Sequence, residues 1–165
     1  MSHLEKNIWT IEGQAGEKII GHTVDNYPHE ACGILLCPFK NPRYISVAYP
    51  TKNVTQEDPG RRYLIDPSDF IEADRFAEQR GLDICGFYHS HPDHPPAPSE
   101  HDRSLAWEGY LYLIASVKDG IFDASRAWIY DQNQQHFNEV TVQYKNRNNQ
   151  SSELSSWEST TVKGL

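Results

Sequence analysis

Only three cysteines stand in the 165-residue chain, and no two are spaced C-x-x-C. An odd set without such a pair argues against a disulfide framework and against a structural zinc site built from thiolates. Each lies in or beside an apolar run, Cys32 and Cys37 in "CGILLC" and Cys85 in "DICGFY", where a reduced thiol serves as a small hydrophobe. Long apolar runs are missing too. No stretch approaches the roughly 20 apolar residues that cross a bilayer, and "MSHLEKNIWTIEGQAGEK" holds no apolar core of signal-peptide length. A soluble, cytoplasmic protein is expected. Positive charge is scarce: the formal net charge is −8, and the densest basic element is the pair Arg61 and Arg62. Such a surface repels phosphate backbones and anionic headgroups, so neither nucleic acid nor membrane is an expected partner.

The remaining material suits one domain with its own core, with no internal repeat. "GQAGEKIIGHTVDNY" from Gly13 to about Tyr27 has a helical pattern closed by Pro28. "ACGILLC" from Ala31 is a short buried strand, "RYISVAY" from Arg43 a second, and "RYLID" after a polar loop a third. Asp66 as N-cap, Pro67 at the first helical position and Gly81 past the end bracket a second helix, with an apolar stripe of Phe70, Ala73 and Ala77 beside Ile71 and Phe76. "DICGFYH" reads as a strand, 99–108 as a helix ending at Gly109, and "YLYLIASV", a "KDG" turn and "SRAWIY" as adjacent strands, with "HFNEVTVQY" a last one. Trp107 and Tyr110 read as core side chains. Residues 1–144 form the domain, and 145–165 a polar tail of low apolar content with a short helix expected near 153–158. Strands interleaved with helices define an α/β protein with a mixed β-sheet flanked by helices.

One segment is dense in chemistry. "GFYHSHPDHPPAPSEHD", residues 86–102, holds four of the chain's eight histidines, four prolines and three acidic residues. Ser99-Glu100-His101-Asp102 fits a helix capping box, which by itself explains Ser99 and Asp102. The histidines add more. His89 and His91, two apart at the exit of a strand, project to one side with Cα atoms about 6.6 Å apart. A proline loop folding back would bring Asp102, in the first turn of the next helix, to the same point. Two imidazoles and one carboxylate suit Zn²⁺, with water as fourth ligand, the pattern of a catalytic zinc. Ser99 would stand near the ion, able to donate to a developing oxyanion.

His89-Ser90-His91-Pro92, six residues, Ser99, two residues and Asp102 match H-[ST]-H-P-x6-S-x2-D, and the chain resembles the JAMM (MPN+) zinc metallopeptidases, particularly short stand-alone bacterial members. The likeness extends from "PHEACGILL" through "RYLIDP" and "YLIASV" to "AWIY". It implies the JAMM/MPN fold, which is cytidine-deaminase-like, with Glu30 of "HEACGILL" as general base. The deaminases' own signature, H-x-E with a later P-C-x-x-C, is absent: the chain has no P-C-x-x-C. Asn53 matches a recurrent asparagine of the shorter members and would orient substrate, whereas His29, His94 and His101 read as solvated loop residues. The likeness further implies a ubiquitin-like sulfur carrier protein of the ThiS/MoaD type as partner, its C-terminus trimmed to Gly-Gly after entering as an extended strand, and it leaves room for a homodimer. Two alternatives stay open: a peptidase acting on another protein or on cell-wall peptide, and a metal-free MPN scaffold.

Overall fold

The computed structural model describes residues 7–145 and 151–153. Strict alternation makes the first strand: Ile8–Glu12 (β1) buries Trp9 and Ile11 between less buried neighbours, a period-two pattern. The structure adds this strand to those expected. Helix α1, Gly13–Asn26, then buries Ala15, Gly16, Ile19 and Thr23, spaced to fall on one helical face.

Strand β2, Cys32–Pro38, is buried along nearly its whole length, and the reason lies on its two faces. Leu35 and Cys37 pack with Ala15 and Ile19 of α1. Ile34 and Leu36 pack with Ala73 and Ala77 of α2, Pro67–Glu78. A strand covered by a helix on each side has no polar face, hence the continuous apolar run. Fully burying one such aliphatic side chain contributes about 1.5–3 kcal/mol.

Helix α2 begins as its sequence dictates. The Asp66 side chain accepts from the Ser68 N–H at 2.9 Å, and Pro67 follows at the first helical position. Beyond the helix, Gly81 takes φ +67°. Ile71 of the expected stripe is instead 52% exposed, because it falls outside the 70/73/77 row.

Two readings need correction. "RYISVAY" is two short strands, β3 (Tyr44–Ile45) and β4 (Val47–Thr51); at the switch Ser46 N–H donates to Leu36 O at 3.0 Å. β3 joins β1 in parallel, while β4 pairs antiparallel with β2. "RYLID" forms no strand, only the isolated bridge Asn53–Ile65, since Leu64 N–H is taken by the Asn53 side chain.

Strand β5, Leu82–Pro92, pairs antiparallel with β2 and parallel with β6, Leu111–Lys118. Between them lies α3, Glu100–Leu105, shorter than the expected helix. Asp119 and Gly120, both at positive φ, turn β6 into β7, Ile121–Asp131, as a two-residue hairpin requires. β8, His136–Lys145, and β9, Ser151–Glu153, complete a mixed sheet ordered β3-β1-β8-β7-β6-β5-β2-β4, with β9 on β8. β9 lies within the region read as tail. The helix expected near 153–158 falls, apart from Glu153, outside the described residues. The three cysteines are free and buried.

Candidate metal and active site

The end of β5 carries the site. Immediately before it, the Tyr88 ring crosses Gly33 of β2 so closely that a Cβ there would stand 2.1 Å from a ring carbon, and its hydroxyl meets His22 Nδ1 of α1 at 2.7 Å. Glycine is therefore required opposite Tyr88, and the strand is seated just where its function begins.

His89 and His91 are both buried and point the same way, with Nε2 atoms 3.1 Å apart. Asp102 of α3 places Oδ1 3.2 Å from His89 Nε2 and Oδ2 3.4 Å from His91 Nε2. Each residue offers one ligand atom within 4.8 Å of the others. The capping box sets this aim: Ser99 Oγ accepts from Asp102 N–H at 3.1 Å, and Ser99 N–H donates to Asp102 Oδ2 at 2.7 Å. Among the described residues no acceptor takes the Ser99 hydroxyl proton, which leaves it able to donate.

The donor set fits a cation. His91 Nδ1 lies 2.8 Å from the Pro95 carbonyl, which can only accept, so Nδ1 carries a proton and Nε2 of the neutral ring is a lone pair. Burial pushes the Asp102 carboxyl up, but the His89 and His91 rings and the Ser99 N–H outweigh it and hold it well below the usual carboxylate range. Burial keeps His89 below the usual imidazole value; His91 is raised because Asp102 and the Pro95 carbonyl overcome its burial. Acceptors thus converge on one buried point with too few protons to satisfy them, which a divalent ion with N and O preference resolves. His89 Nδ1 is buried without a partner among the described residues. The ring is held instead by Tyr63, stacked at 4.5 Å and 25°.

Glu30 sits between α1 and β2, 4% exposed. Its N–H donates to Pro59 O at 2.7 Å. The next residue, Ala31, donates to Ser90 Oγ at 2.8 Å and accepts from Ser90 N–H at 3.0 Å. The serine between the two histidines thereby anchors the segment carrying Glu30. Burial pushes the Glu30 carboxyl up to about 8; His91 opposes this, and Asp102 and Asp58 add to it. Glu30, Arg61, His91, His94 and Ser99 line one cleft of about 390 Å³.

Of the other sequence candidates, His29 is exposed, while His94 lines the cleft and His101 is half-buried, both outside the ligand cluster. Trp107 is 62% exposed rather than core; the helix stops short of it, and its N–H goes to the Tyr112 hydroxyl at 2.8 Å. Tyr110 is half-buried against Phe87, ring centroids 5.4 Å apart. Sequence reasoning missed Tyr63 and Arg61, the first read as strand and the second only as a basic residue.

Asn53 is not free to orient a substrate. Its amide donates to Glu30 O (3.0 Å) and Arg62 O (3.1 Å) and accepts from Thr55 N–H (3.1 Å) and Leu64 N–H (3.0 Å). It clamps the 53–64 loop to the backbone of Glu30. Replacing Asn53 with Ala leaves those groups without their partner, at about 1 kcal/mol per bond. The expected result is lower stability in urea and a kcat reduced more than KM is raised, with metal content unchanged.

The fold and this cluster define a JAB/MPN-type domain. Residues 14–130 match the family model described as prokaryotic homologues of the JAB domain, and the chain belongs to that family. It is 36% identical over 138 residues to a desampylase of Haloferax volcanii, covering 81% of this chain and 94% of that one. Among solved structures, a protein of Desulfitobacterium hafniense superposes with TM-score 0.73 at 26% identity, over 85% of this chain and 94% of the other. A JAB1/MPN domain protein of Archaeoglobus fulgidus gives 0.50 at 17% identity, over 83% and 96%; that likeness concerns the fold. No helix among the described residues is long and apolar enough to cross a membrane.

Proposed function

We propose that the protein is a zinc-dependent peptidase that cuts near the C-terminus of a ubiquitin-like sulfur carrier protein and exposes a Gly-Gly end. The observation carrying this reading is the convergence of His89, His91 and Asp102 beside a buried glutamate in one cleft. The likeness to a desampylase supports a hydrolase with a ubiquitin-like partner. In this reading His89 Nε2, His91 Nε2 and an Asp102 oxygen hold the zinc. When bound, such an ion polarises a carbonyl and lowers the pKa of water.

The protein's own groups do the rest. Glu30 acts from its carboxylate form, which burial disfavours below about pH 8 and a cation beside it would favour; it takes a proton from water as the water oxygen attacks the scissile carbonyl carbon. As the C–N bond breaks, Glu30 delivers that proton to the departing amine nitrogen. The free Ser99 O–H donates to the oxyanion that develops on the carbonyl. Asn53 and Ser90 hold Glu30 in place through its backbone and that of its neighbour. The protein works in the cytoplasm in this reading, alongside the sulfur-transfer steps of cofactor, cysteine or siderophore biosynthesis.

The direct test measures zinc per chain, then incubates the protein with a carrier extended beyond Gly-Gly and weighs the products. One zinc per chain and a new C-terminal Gly-Gly are expected. Zinc-free protein that leaves the carrier intact would favour a scaffold, and cleavage confined to unrelated peptides would move the substrate elsewhere.

A further inference from the structure

The cleft has one charged group that the hydrolytic scheme does not use. Arg61 is exposed on the cleft wall, and among the described residues no side-chain hydrogen bond or ion pair engages its guanidinium, whereas its neighbour Arg62 pairs with Glu57. Arg61 is fixed at the backbone, its N–H donating to Asp58 O at 2.9 Å. One residue before Gly60, the Pro59 carbonyl holds the Glu30 N–H. The loop bearing Arg61 is therefore anchored on Glu30 itself.

That anchoring fixes a direction. A base that returns its proton to the departing amine must stand on the leaving-group side of the scissile bond. Arg61, on the loop fastened to Glu30, lines the same cleft as that base. The piece that leaves ends in one of two ways: a short C-terminal extension ends in a free carboxylate, whereas an isopeptide-linked protein presents a lysine stem and an amide backbone. A guanidinium fork without a protein partner is matched to a carboxylate. Asp102 and Asp58 act on Glu30 and give that end of the cleft an acidic character that opposes anions, which makes Arg61 the cationic group of the lining able to receive one.

From this we infer that Arg61 is a specificity determinant that binds the free C-terminal carboxylate of a short leaving peptide, making the protein a trimmer of carrier C-termini rather than an isopeptidase. This rests on the proposed function, whose cleavage direction it uses.

Three probes share a carrier-derived Gly-Gly sequence: one extended by alanine with a free carboxylate, its C-terminal amide, and one joined to the ε-amine of a lysine blocked at both ends. Binding is measured to the zinc-loaded Glu30→Gln protein, and kcat/KM on wild type. The acid is expected to exceed the amide and the isopeptide by about tenfold in both, and more at low salt. Arg61→Gln should bring the three together, and Arg61→Lys restore part of the gap. Equal handling of acid and amide by wild type, or discrimination that survives in Arg61→Gln, overturns the inference while leaving a hydrolase intact. An Arg61-dependent preference in binding with no cleavage of any probe supports the carboxylate site and overturns the hydrolytic reading instead.

Discussion

Glu30→Ala protein retains a full complement of zinc and loses cleavage, with kcat/KM down by about 10²–10⁴-fold, the range for removing a positioned general base. The two halves of this result come from different parts of the structure. The ligand atoms belong to β5 and α3, so metal content, read by atomic emission, stays near one per chain. The Glu30 carboxylate, proposed to move the proton, is buried just before β2, among groups that hold its backbone independently of its side chain. Circular dichroism should therefore stay unchanged, and Glu30→Gln should behave as Glu30→Ala does. A Glu30→Ala enzyme of undiminished activity sinks the proposed chemistry.

Asp102→Ala has the second large effect and loses both metal and activity. Two functions go together here, because the carboxylate faces both histidines, Oδ1 toward His89 and Oδ2 toward His91, and Oδ2 also closes the cap with the Ser99 N–H. Asp102→Asn separates them. The amide oxygen still accepts from Ser99 N–H, so α3 keeps its start, while the negative charge opposite two imidazoles is gone. Zinc affinity is expected to fall by more than about 100-fold in both variants, beyond what loss of an outer partner costs. The stability of the metal-free protein should fall by about 1 kcal/mol more in Ala than in Asn, the worth of a cap. Full zinc in Asp102→Asn would remove Asp102 from the ligand set.

Much of the site was legible because it is nearly contiguous: His89, His91, Ser99 and Asp102 lie within fourteen residues, and strand alternation plus a capping box suffice to aim them. Glu30 was reached only through a resemblance, since an acid before a strand looks ordinary until the fold brings it to β5. The clamp role of Asn53 could not be read, because all four of its partners are backbone atoms, and those leave no mark in the sequence. "RYLID" misled for a related reason. Its β-branched and aromatic residues favour a strand, but Tyr63 is held over His89 and the backbone donors there go to a side chain and a loop. β1 was overlooked although Ile8–Glu12 carries clear alternation, and Trp107 was assigned to the core, where the short α3 leaves it outside.

The proline loop between His91 and Ser99 has three consecutive carbonyls occupied by side chains of three strands: His94 O by Ser116 Oγ at 2.7 Å, Pro95 O by His91 Nδ1 at 2.8 Å and Pro96 O by Trp128 Nε1 at 3.1 Å. Prolines 92, 95, 96 and 98 contribute no N–H at all. This wall of the cleft therefore has almost no main-chain valence left for an incoming chain. In the proposed function, an extended tail finds few ladder partners there, and its amides turn to the rest of the lining, where Arg61 stands. In that reading the chemistry of proline decides which side of the substrate is read residue by residue and which slides past.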